Sequence, residues 1–92
     1  MQSKPTIANV AMTLANTEYS YALPDGTKRF MIKLRDPGYP LQLAVVSGES
    51  NTTYYNIANG KTHEEKEIKG QGTTLYFRTT TASMIAEIIS WK

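Results

Sequence analysis

The chain predicts an all-β fold, a single antiparallel β-sandwich, jelly-roll-like, of about seven to eight short strands. Three observations carry this expectation. Apolar and polar residues alternate at period two in most segments. Turn-forming residues interrupt the chain at intervals of roughly 10–12 residues. Threonine, tyrosine and isoleucine, whose branched or flat side chains suit a pleated surface, gather where strands are expected. Ninety-two residues, 40% apolar and 20% charged, suffice for one domain and not for two. That domain spans residues 1–92, with residues 1–6 a candidate flexible arm.

The first strand is expected where Val10, Met12 and Leu14 alternate with Ala11, Thr13 and Ala15, and the second where Tyr19, Tyr21 and Leu23 alternate with Ser20 and Ala22. Pro24-Asp25-Gly26-Thr27 then supplies a turn. Proline presets φ at the corner and Gly26 accepts φ > 0, so the chain is expected to reverse here into a hairpin. The returning strand has the clearest pattern. Phe30, Ile32 and Leu34 form a buried stripe, backed by Arg29, Met31, Lys33 and Arg35. Asp36-Pro37-Gly38-Tyr39-Pro40 ends it.

Leu41 to Val46 reads as a further strand closed by Ser47-Gly48, followed by a polar loop and a short strand at Tyr54 to Ile57. Asn59-Gly60 marks a turn. Lys61 to Lys69 reads as a long polar loop with one short edge strand, anchored by Ile68. Gly70-Gln71-Gly72 opens a threonine- and aromatic-rich strand from Thr73 to Thr81, and Met84 to Trp91 forms the last strand. Ala82 to Ile89 is also compatible with a helix, on which Ile85, Ile88 and Ile89 would share a face. Three β-branched isoleucines favour the strand.

Composition narrows the chemistry. Ten Lys/Arg against eight Asp/Glu give a net charge of +2, too slight for a dedicated nucleic-acid or anionic-membrane binder. With no cysteine and one histidine, His63, neither a disulfide nor a Cys/His zinc cage can staple the chain. No signal peptide and no membrane span are read, and the Asn51-Thr52-Thr53 sequon is taken as accidental. His63-Glu64-Glu65-Lys66-Glu67 lacks the second histidine that a zinc protease needs. Gly70-Gln71-Gly72 precedes a strand, whereas phosphate cradles run into a helix. No catalytic, cofactor-binding or metal site is expected, and the protein is read as a non-enzyme.

Two surfaces remain as candidates. Arg29, Lys33, Arg35 and Arg78, together with Tyr19, Tyr21, Tyr39, Tyr54, Tyr55 and Tyr76, have the cation and ring chemistry of a module for glycan or single-stranded nucleic acid. The second surface lies on the final strand. Met84, Ala86, Ile88 and Ser90 occupy one face, and Ile85, Glu87, Ile89 and Trp91 the other. Large apolar groups stand on both faces, which a lone two-layer domain avoids. Ile85, Ile89 and Trp91 are therefore the candidate oligomer interface.

The strand Phe30-Met31-Ile32-Lys33-Leu34-Arg35, the block from Gly70 to Arg78 containing Thr74-Leu75-Tyr76-Phe77, and the ending Ala82 to Trp91 resemble small all-β virion proteins of tailed bacteriophages. The likeness is one of strand pattern, without catalytic anchors. It implies a virion protein made in the host cytoplasm, a multi-copy capsid decoration or stabilising subunit. Its implied partners are copies of itself, a trimer being one such assembly, and other virion proteins such as the major capsid protein. Arg29, Lys33, Arg35 and Arg78 are the candidate docking cations.

Overall fold

A computed structural model describes residues 4–66 and 73–92. These form eight strands: β1 (Thr6–Met12), β2 (Tyr19–Ala22), β3 (Arg29–Leu34), β4 (Leu41–Ala44), β5 (Tyr55–Ile57), β6 (His63–Glu65), β7 (Thr74–Arg78) and β8 (Met84–Trp91). All pairings are antiparallel, in one sheet of order β1-β8-β3-β6 and a second of order β2-β7-β4-β5. This is the expected jelly-roll-like sandwich. The chain passes from sheet to sheet at every connection but one, β4 to β5.

Period-two alternation builds the core from both layers. Phe30, Ile32 and Leu34 of β3 and Ala86 and Ile88 of β8 point inward from the first sheet, against Leu41, Leu43, Ile57, Leu75 and Phe77 of the second. Met12 and Leu23 complete the cluster. Buried hydroxyls are satisfied by the connections: Thr27 Oγ1 donates to Pro24 O at 2.6 Å, and Thr79 Oγ1 to Pro40 O at 3.0 Å. Glu18 ties two loops together by accepting from the amides of Gly48 (2.9 Å) and Ser50 (3.2 Å). Ser50, through its side chain, and the Gly48 amide hold the Glu18 carboxyl below the usual carboxylate range.

Several elements differ from expectation. The Pro24–Thr27 turn forms, with Thr27 N donating to Pro24 O at 3.1 Å and Gly26 at φ 84°, but it does not make a hairpin. β2 pairs with β7, and β3 with β8 and β6. The turn reverses the chain but carries it from the second sheet into the first, so β2 and β3 lie in different layers. β1 begins and ends earlier than expected: Leu14 is 62% exposed and its amide donates to Tyr19 Oη at 3.0 Å instead of to a strand. Of the candidate arm, residues 1–3 lie outside the described residues, and Thr6 already sits opposite Ser90.

β4 ends at Ala44, short of the expected Val46, because Val46 to Glu49 closes a turn (Glu49 N to Val46 O, 3.2 Å) with Gly48 at φ 85°. The edge strand expected within 61–69 forms at His63–Glu65. Its expected anchor Ile68, and Gly70-Gln71-Gly72, expected to open the next strand, lie outside the described residues. Residues 84–91 form a strand, settling the choice against helix.

Truncating Phe77, which is fully buried, to alanine is expected to cost about 3–5 kcal/mol in denaturant unfolding. Leu14→Ala is expected to stay within about 0.5 kcal/mol of the parent.

Candidate functional site

The outer face of the first sheet is the surface on which the candidate residues meet. β8 lies between β1 and β3, so its residues alternate between core and exterior: Ala86, Ile88 and Ser90 are buried, while Ile85, Glu87, Ile89 and Trp91 are half-buried on the outer side. The registers extend these positions into rows across the strands. Ile7, Ile89 and Met31 form one row; Asn9, Glu87 and Lys33 form the next; Arg29 stands opposite Trp91. The first two rows floor a shallow groove of about 440 Å³. Ile7 is its most open apolar wall, at 66% exposure.

Charge frames this apolar row. Glu87 bridges two cations, Arg35 Nε at 2.7 Å and Lys33 Nζ at 3.4 Å. Hydrogen bonding from Arg35 above all, joined by Lys33, holds the Glu87 carboxyl below the usual range despite some desolvation. Arg29 lays its guanidinium over the Trp91 ring, 3.8 Å from the centroid. Its Nε is buried without a hydrogen bond, since the Glu64 carboxylate stands 3.8 Å away. The stacking on Trp91, more than the Glu64 contact, sets the place of this side chain.

All three expected interface residues, Ile85, Ile89 and Trp91, thus share one outer face with Arg29, Lys33 and Arg35. Because β8 is hydrogen-bonded on both sides, a partner reaches these residues through side chains and not through the strand's backbone. Arg78 is separate. It faces outward from the second sheet, where its Nη2 donates to Asn16 Oδ1 at 3.0 Å. The tyrosines are scattered too. Tyr19 and Tyr21 pack against the core, Tyr76 lies on the outer side of the second sheet, and Tyr39, Tyr54 and Tyr55 are exposed elsewhere. The basic and aromatic groups do not converge on one platform.

The histidine segment divides as a strand must. His63 and Glu65 lie opposite the inward residues Ile32 and Phe30, whereas Glu64 lies opposite the outward Met31. His63 sits 4.8 Å from the Tyr55 ring and 6.2 Å from that of Phe30, with Nε2 3.0 Å from Glu65 Oε1. From β6 its ring thus meets Phe30 of β3 and Tyr55 of β5. Glu67 lies outside the described residues, and no cluster of three His/Cys/Asp/Glu groups forms among the described ones.

Sequence reasoning missed Ile7. Its signal was its phase: Ile7 alternates out of step with Ala8, Val10 and Met12, which face the core, so an isoleucine at that position must point outward.

No protein-family model matches the chain, and no curated protein matches it. Among solved structures, it is similar to a solution NMR structure of a de novo designed double-stranded beta-helix. The TM-score is 0.56 at 18% identity, over 98% of this chain and 100% of that one. The likeness concerns the fold alone.

Glu87→Gln is expected to lower stability at neutral pH by about 0.2–1 kcal/mol, the range of exposed ion pairs. Because folding lowers the Glu87 pKa, its stabilisation is present above the unfolded value of about 4.5 and fades as pH falls through the folded one. Parent and variant unfolding curves should therefore converge in acid. High salt should narrow the same gap at neutral pH.

Proposed function

We propose that the protein is a non-enzymatic structural component of a tailed-phage particle, a multi-copy subunit that decorates or stabilises the capsid. It acts in the virion, bound to copies of itself and to a shell protein such as the major capsid protein. The observation that carries this reading is the outer face of the first sheet, where Ile7, Ile89 and Met31 form an apolar row beside Trp91. Such a row loses water-exposed apolar surface when a partner covers it. The Arg29, Lys33 and Arg35 cations around it suit a shell surface that presents carboxylates; Glu87 holds Lys33 and Arg35 in place, and the Trp91 ring holds Arg29.

The strand pattern shared with small phage virion proteins supports the same role, as does a fold whose two layers are filled by side chains. The reading is tested by mass spectrometry of purified particles from the phage that encodes the chain, followed by co-sedimentation of the chain with particles lacking it. Many copies per particle are expected. Trp91→Ala and Ile89→Asp should each weaken docking by about 10–100-fold, the effect of removing a buried interface anchor, with melting curves recorded to separate docking from folding. Absence of the chain from purified particles would overturn the proposal.

A further inference from the structure

The four sheet edges of this sandwich are unequal. β5 and β6 are three residues long, with two carboxylates in β6, and β2 has four residues; short or charged edges resist pairing with other chains. β1 is different. It runs for seven residues, Thr-Ile-Ala-Asn-Val-Ala-Met, with neither a charge nor a proline.

The direction of its backbone groups follows from one hydrogen bond and two registers. Arg35 N donates to Ile85 O at 2.9 Å, so the odd-numbered residues of β8 turn their backbone groups toward β3 and the even-numbered ones toward β1. The even-numbered residues Met84, Ala86, Ile88 and Ser90 stand opposite Met12, Val10, Ala8 and Thr6. The N–H and C=O groups of Ile7, Asn9 and Ala11 therefore point away from β8, toward a side where no strand lies among the described residues.

We propose that this edge pairs with the β1 edge of a second copy, antiparallel about a two-fold axis at Asn9. That register overlaps all seven residues and sets Ile7 opposite Ala11, and Asn9 opposite its own counterpart. The edge-facing residues then form three hydrogen-bonded pairs of two bonds each. Size is complementary as well. The exposed Ile7 packs on the small Ala11 of the other copy on the outer face, and the two Asn9 amides meet as donor and acceptor. Both first sheets become one continuous sheet. A strand pairing with itself closes at two copies, so the unit is a dimer. This inference does not rest on the capsid reading: a dimer that never binds particles, or a particle-bound monomer, separates the two.

Sedimentation velocity across a concentration series tests it, joined to amide hydrogen exchange. The expected species has twice the 10.3 kDa chain mass. Protection of the Ile7, Asn9 and Ala11 amides should rise with concentration, while the Ala8 and Val10 amides, bonded to β8, stay protected throughout. Asn9→Pro removes a donor that faces only the partner and should yield a folded monomer. Ile7→Lys, which leaves the backbone unaltered, should raise the dimer dissociation constant by about tenfold or more. A monomer at every concentration overturns the proposal. So does a trimer, a complex only with some other protein, or a dimer whose Ile7, Asn9 and Ala11 amides exchange as in dilute solution.

Discussion

The position of β8 between β1 and β3 is the constraint on which the rest of the first sheet depends. A strand bonded on both sides has no choice of register, and its eight residues align the neighbours that flank it. Alternation then does the sorting. Ala86 and Ile88 are committed to the core, and Ile85, Ile89 and Trp91 to the exterior, where Ile7 and Met31 join them from either side. The apolar outer row is thus a product of strand order, because no single strand carries it.

Small size makes that row informative. A sandwich of 92 residues without disulfides has a thin margin of stability, and apolar groups spent on an outer face do nothing for its own interior. The charged groups around the row are arranged to hold the surface: Glu87 links Arg35 and Lys33, and Trp91 carries Arg29. Exposed pairs of this kind contribute little to folding. Their effect is to fix the geometry of a face that would otherwise be formed by long mobile side chains.

Strands whose alternation is strong were legible from composition and period alone. Phe30, Ile32 and Leu34 face the core as their spacing requires, and the outward placement of Ile85, Ile89 and Trp91 could be read as one of two alternatives. What stayed hidden was non-local. Nothing near Pro24 says that β2 belongs with β7, since the partner lies some fifty residues further along the chain. Leu14, Val45 and Val46 look like strand residues by type, yet they are exposed, because turns at Asn16 and Gly48 with positive φ take the chain out of the ladder. Arg78 was grouped with Arg29, Lys33 and Arg35 by charge, and only the assignment of β7 to the second sheet separates them.

The pairing of β1 with β8 also bears on synthesis. During translation, Thr6 to Met12 emerges long before Met84 to Trp91, and the strand that must join it to β3 is the last of the eight to leave the ribosome. Until then the first sheet lacks the strand that joins β1 to β3, and the core lacks Ala86 and Ile88. Such a chain cannot fold by stepwise accretion from its amino end; its assembly waits for one late segment to close contacts across nearly its whole length.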